Sequence, residues 1–272
     1  MPCARRSCNA STVPSRISIS VCRTLSERSA GCSADSTIRQ PAGFERRVNT
    51  RAVADGADVA ITYEKSAERA QAVVAGIEAL GRRAIAIQAD SADPTAVRNA
   101  VDRAADTFGG LDILVNNAGI FRAGALDDLT LDDIDATLDV NVRAVIVASQ
   151  AAARHLGEGG RIVSTGSCLA TRVPDAGMSL YAASKAALIG WTQGLARDLG
   201  SRGITVNIVH PGSTDTDMNP ADGEHADAQR SRMAIQQYGK ADDVAALVAF
   251  VVGPEGRSIN GTGLTIDGGA NA

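Results

Sequence analysis

The chain has 272 residues and a formal net charge of −4. That length allows one large α/β domain or two small ones, with a core that buries roughly 70–75% of the unfolded surface. The charge argues against a broad nucleic-acid-binding face, and no apolar run approaches the ~18 residues of a membrane span. Hydrophobic residues make up 44% and aromatics only 3%, so Ala, Val, Leu, Ile and Gly build the core. Such a core suits helices packed closely on a parallel sheet.

Composition divides the chain near residue 51. Residues 1–50 hold 9 Ser, 8 Arg, 4 Cys and only 3 acids, a net charge of +5 that leaves −9 for the remainder. The most apolar stretch there is Ile17–Val21 (ISISV), enough for one short strand at best. Cys3, Cys8, Cys22, Cys32 and Cys168 make no CxxC pair, and no apolar signal segment precedes them. They read as incidental free thiols in a cytoplasmic protein rather than a zinc site or a disulfide framework.

From Val53 onward, strands and helices alternate. Ala57–Tyr63 reads as a buried strand, 66–80 as an amphipathic helix stopped by Gly81, and Ala84–Gln88 as a second strand. Asp93-Pro94 is an N-cap with Pro at the first helical position, opening a helix to Phe108. Gly109-Gly110 leads into a strand at 111–115. A long helix is predicted over 131–156, then a strand at 161–164 opened by Gly159-Gly160. A helix over 179–199, a strand over 204–209, a helix over 242–252 and a last strand at 264–266 complete the pattern. Short apolar strands alternating with helices predict a doubly wound, Rossmann-like parallel sheet that binds ligands beyond its strands' carboxyl ends.

Tyr181 and Lys185, four residues apart, share one face of a helix. An ammonium beside a phenol favours the phenolate, which makes Tyr181 a candidate general acid/base. Ser167 follows the 161–164 strand and puts a hydroxyl at its carboxyl end. Asn116-Asn117-Ala118-Gly119 ends the 111–115 strand with short side chains and a Gly, allowing close backbone approach to a cofactor. Asn141 lies mid-helix, where Asn is mildly unfavourable and hints at a task of its own.

NNAG at 116–119, Asn141, the STGS segment ending at Ser167, YAASK at 181–185, Pro211-Gly212 and GTGLTIDGG at 261–269 together span 53–272. In this order they resemble the short-chain dehydrogenase/reductase family, in the style of 3-oxoacyl-carrier-protein reductases. The resemblance implies that Tyr181 is the acid/base, Lys185 lowers its pKa and binds the nicotinamide ribose, Ser167 orients the carbonyl, and Asn141 holds a relay water. It implies that Asn117, Ala118 and Gly119 line adenosine and ribose, and that Asp90 and its neighbour Ser91 meet the adenine. Pro211, Gly212, Thr214 and Thr216 would flank the nicotinamide. Asp90 also suits a loop cap, and Thr216 an ordinary turn. It also implies a homodimer or homotetramer built on the two long helices.

At the end of the 57–63 strand an Asp would favour NAD; Tyr63, Glu64, Lys65 and Ser66 stand there instead. Lys65 and Ser66 suit a 2′-phosphate and point to NADP; Glu64 would oppose it, and NAD stays open. The substrate is expected to be a small carbonyl or alcohol, and a 3-oxoacyl thioester is one candidate. An acidic carrier protein would want basic residues at the mouth, and Arg172 and Arg202 are available. The segment 213–238 reads as a substrate lid, with His225 exposed on it.

The family's opening strand and TGxxxGxG-type loop have no counterpart: residues 1–52 contain only Gly31 and Gly43. Three explanations are open. Residues 1 to about 50 are read out of frame, which fits Arg-, Ser- and Cys-rich text ahead of GC-rich-type coding. They form an Arg/Ser-rich transit peptide. Or the chain is a divergent, catalytically silent binding or scaffold protein. On any of them, the first strand and its Gly-rich loop are missing or replaced.

Overall fold

The computed structural model describes residues 17–24 and 57–272. Seven strands form one sheet in the order β3-β2-β1-β4-β5-β6-β9. They are β1 (Ile17–Thr24), β2 (Ala57–Tyr63), β3 (Ala84–Gln88), β4 (Leu111–Asn116), β5 (Leu156–Thr165), β6 (Thr205–Pro211) and β9 (Gly263–Ile266). A two-stranded parallel ribbon, β7 (Thr214–Asp215) with β8 (Gly239–Lys240), brackets the segment 216–238, read from sequence as a lid.

Helices cover both faces. On one side α2 (Pro94–Phe108), α4 (Ala144–Ala152) and α5 (Ser179–Gly200) pack on Leu114, Ile162 and Val206. On the other, α1 (Ala67–Glu78) and α7 (Ala241–Val252) pack on Ile113, Val115, Val163 and Val209. Neighbouring residues of one strand thus feed opposite cores, the reason buried parallel strands read as continuous apolar runs. Local chemistry sets the helix ends. The Asp93 carboxylate accepts from Thr95 N–H at 2.8 Å, and Gly109 closes α2 in the left-handed region at φ 76°. α3 (Leu131–Leu138) opens on a Thr130–Asp133 capping box.

The predicted helix over 131–156 is broken. A π-turn, Asp139–Arg143, separates α3 from α4, and Leu156 already starts β5. β5 therefore begins five residues before the predicted strand, and its exposed stretch Gly157–Gly159 hid it from a hydrophobicity pattern.

The first strand is replaced, and the replacement runs the other way. β2, β3, β4, β5, β6 and β9 pair in parallel, whereas β1 is antiparallel to both its neighbours, with Ile17 opposite Tyr63, Thr24 opposite Ala57 and Ile19 opposite Asn116. The end of β1 at Thr24 thus lies at the amino edge of the sheet, and its start lies at the carboxyl edge. Among the described residues, no helix is long and apolar enough to cross a membrane.

Candidate active site

The residues singled out for chemistry converge beyond the carboxyl ends of β4, β5 and β6. Ser167 stands two residues past β5 and caps a short 3₁₀ turn, Cys168–Ala170, by accepting from Leu169 N–H at 3.2 Å. Its hydroxyl is near enough to the Tyr181 phenol to favour the phenolate slightly. Lys185, one turn along α5, is 4% exposed and donates from Nζ to Thr165 O at 2.9 Å. The same Nζ lies 5.9 Å from the Tyr181 ring centroid.

Electrostatics here depart from the expected effect of Lys185. Burial pushes the Tyr181 phenol up to about 12, against a smaller downward pull from the nearby Ser167 hydroxyl. Burial likewise pulls Lys185 down to about 8. Desolvation dominates because the phenolate would be stripped of water. In this state Tyr181 is a proton donor, the form that carbonyl reduction needs.

Asn141 lies in the π-turn and is fully buried. Its Oδ1 accepts from Ile120 N–H at 2.8 Å, and its Nδ2 donates to Ile120 O and to Ser184 Oγ, both at 3.0 Å. Both amide hydrogens are used, so the side chain clamps Ile120, next to the NNAG loop, to α5. A π-turn at such a residue is a common local device, since one extra residue re-aims a side chain. Ser184, which no sequence argument singled out, completes the clamp by donating to Tyr181 O at 2.7 Å.

Gly119 faces this cluster. A Cβ there would sit 3.3 Å from Lys185 Nζ and 3.4 Å from Asn141 Oδ1, so the glycine keeps open the space above the amine. Thr165 Oγ1 donates to Asn117 Oδ1 at 3.0 Å and links the two loops; Ala118 is buried between them. Pro211 ends β6, Gly212 abuts the Asp267 backbone so closely that a Cβ would collide at 2.6 Å, and Thr214 Oγ1 donates to Gly212 O at 3.1 Å. Thr216 accepts from Asn219 N–H at 3.2 Å, the ordinary turn role.

Toward β2 and β3 the candidates are bonded locally. Lys65 is 80% exposed and pairs with Glu64 at 2.9 Å, so acid and cation offset one another. Tyr63 ends β2, and Ser66 precedes α1 without a side-chain cap. Asp90 accepts from Ala92 N–H at 2.9 Å, capping its own loop, and Ser91 is buried beside it. Arg69, on the first turn of α1, reaches the lid at Asp217, 2.6 Å away. His225 is exposed. Arg172 donates to the carbonyls of Ala270 and Ala272, and Arg202 to those of Ala153 and Leu156. The two cations available to an acidic carrier are committed to main chain.

A family model described as enoyl-(acyl carrier protein) reductase matches residues 42–271. The chain belongs to the short-chain dehydrogenase/reductase family. By that membership it is an oxidoreductase. Its solved relatives include a short chain dehydrogenase from Burkholderia cenocepacia J2315 in complex with NADP, 93% identical over 85% of this chain and 94% of that one, TM-score 0.84. A blue fluorescent protein from a metagenomic library, in complex with NADPH, is 54% identical over 85% of this chain and 94% of that one, TM-score 0.84. The cyclic-di-GMP-binding biofilm dispersal mediator protein of Escherichia coli K12 is 45% identical over 85% of this chain and 93% of its own length.

The nicotinamide end of the site fits a dinucleotide, because Gly119 leaves open what a Cβ would fill beside Lys185 and Asn141. The pyrophosphate position does not fit in the same way. A Gly-rich turn after the first strand would have to leave from the carboxyl edge, and β1 ends at the opposite edge.

Proposed function

We propose that this chain is an NADP(H)-dependent reductase of a small apolar carbonyl compound, working reversibly on the corresponding secondary alcohol. The observation that carries the reading is the convergence of Ser167, Tyr181 and Lys185 past the carboxyl end of β5, with the Lys185 amine held by Thr165 O and 5.9 Å from the Tyr181 ring centroid. Ser167 would hold the substrate oxygen. Tyr181 would give it a proton as the alcohol forms, and Lys185 would stabilise the phenolate left behind. Lys185, Asn117, Gly119, Gly212 and Thr214 would hold the cofactor, whose nicotinamide supplies the hydride when bound. Asn141 would keep the loop and α5 in register.

Phe121 supports an apolar substrate. It is 43% exposed, and its ring meets Tyr181 edge-on with centroids 4.9 Å apart, so a group attached to the carbonyl would lie against it. The engagement of Arg172 and Arg202 with main chain favours a small ketone over a 3-oxoacyl group on a carrier protein. The free thiol of Cys168 suits a reducing compartment such as the cytoplasm. Open space beside Gly190 and Gly194 on α5 suits close approach of a second copy in a dimer or tetramer, for which light scattering is the check. The test of activity is NADPH oxidation with a panel of small aryl and alkyl ketones. Turnover abolished by Tyr181→Phe supports the reading, and no turnover on any carbonyl overturns it. The antiparallel β1 favours a second reading, a family member impaired in cofactor binding that serves as a binding or scaffold subunit; calorimetric titration with NADPH separates the two.

A further inference from the structure

His210 is the one buried histidine of the three, 3% exposed on β6 directly before Pro211. A histidine inside a parallel strand is costly to desolvate, so its surroundings matter. The ring lies between two glycines. A Cβ on Gly166 would come within 2.5 Å of Nδ1, and one on Gly263 within 2.8 Å of Nε2. No side chain fits at either position while the imidazole is there.

Nδ1 meets the backbone of Ser167 on both sides: it lies 3.0 Å from Ser167 O and 3.3 Å from Ser167 N. The two contacts belong to alternative tautomers, one in which Nδ1–H donates to the carbonyl and one in which Nδ1 accepts the amide hydrogen. The backbone ladder explains why a side chain stands there. Gly166 N–H donates to Val209 O at 2.7 Å, the last rung between β5 and β6. The next donor on β6 would be residue 211, a proline with no N–H. The ladder therefore stops at Gly166, and the His210 ring bonds the backbone of the next residue, Ser167.

We infer that His210 is a positioning residue: its imidazole holds the Ser167 backbone and so sets where the Ser167 hydroxyl meets the substrate oxygen. The inference rests on the role proposed for Ser167. Burial, together with the nearby Lys185 ammonium, holds the imidazole below its ordinary pKa against the opposing Ser167 carbonyl, so it is neutral and adds no second positive charge beside Lys185.

The experiment compares His210→Leu, which keeps bulk but no polar atom, with His210→Asn, whose amide reaches as far as Nδ1. NADPH and an aryl ketone turned over by the parent are the probes. We expect His210→Leu to lower kcat about tenfold or more with KM for NADPH within about twofold, and His210→Asn to recover most of the loss. Equal kcat in all three proteins, or equal impairment in both variants, overturns the inference. Where His210→Leu does not fold, His210→Ala takes its place in the same comparison. Hydrogen exchange of the Ser167 amide is read in parallel and needs no turnover. Protection lost in Leu and kept in Asn supports the inference, and protection unchanged in both overturns it. A parent that reduces no carbonyl, yet shows that exchange pattern, defeats the proposed activity and leaves the Ser167 anchor standing.

Discussion

The carboxyl edge of the sheet has two unlike halves. Around β4, β5 and β6 the polar side chains are buried and bonded to one another across elements: Asn141 to Ile120 and Ser184, Lys185 to Thr165, His210 to Ser167. Around β2 and β3 they are bonded to their immediate neighbours: Lys65 to Glu64, and Asp90 to Ala92. The first half is preorganised because moving any member breaks a bond buried from water, a cost of about 1–3 kcal/mol each. The second half has no such constraint, and the strand between the halves runs backward. Polar bonding in the first half is built into the core of this protein; in the second half it stays local.

The sharpest way to break that contrast is Tyr181→Phe. Removing the proton donor should lower kcat by about 10²–10⁴-fold while leaving the fold intact. A variant within tenfold of the parent on the same ketone would show that the buried half is not where the chemistry lies.

Replacing residues 1–56 by a parallel strand, a Gly-rich turn and a helix tests the weak half. Backbone N–H groups and a helix N-terminus would then face the pyrophosphate, and NADPH affinity should rise about a hundredfold, some 2.7 kcal/mol. Calorimetry decides: micromolar binding by the chain as it stands, equal to that of the replacement, would mean that its own N-terminal segment supplies a phosphate site.

Asp58 is a third lever. It is buried at the start of β2 between Arg82 at 2.9 Å and Arg83 at 2.7 Å. Burial alone would raise its pKa, but the Arg83 hydrogen bonds and the two guanidinium charges together hold it below the usual 3.8. Its contribution is therefore present above pH 3.8 and lost as pH falls through the lowered value. Asp58→Ala should cost about 3 kcal/mol in urea unfolding at neutral pH, because two charges lose their partner; a change under about 0.5 kcal/mol would show the cluster to be idle.

At Lys185 burial costs stability, where at Asp58 the ion pairs supply it. Its folded value of about 8 lies below 10.5, so between those limits the unfolded chain holds a proton that the folded chain has released. Stability should rise by roughly 2 kcal/mol from pH 8 to 10 relative to Lys185→Met, with inactive but equally or more stable protein from the variant. A parallel pH dependence of the two proteins would sink this. The smallest effect is expected at Lys65, exposed and paired with Glu64. Lys65→Ala should change the NADPH-to-NADH affinity ratio only about two- to fivefold, and a larger change measured by fluorescence titration would mean that Lys65 leaves Glu64 for the phosphate.

Residue type and spacing alone determined much of this protein. The alternation of strands and helices from Ala57 onward, the ends of α2 at Asp93 and Gly109, and the Tyr181–Lys185 pair are local facts, settled by caps, periodicity and a four-residue helical repeat. The lack of a Gly-rich turn in residues 1–52 was equally plain. The π-turn at Asn141, the early start of β5 and the reversed β1 were decided only in three dimensions, because each depends on what packs opposite. So was the state of Tyr181: a neighbouring ammonium is visible in sequence, whereas the desolvation that raises the phenol exists only once the core has closed. His210 reads as one more residue of a buried strand until Gly166, Gly263 and Pro211 are brought around it, and only that assembly sets the imidazole against the Ser167 backbone where the ladder stops.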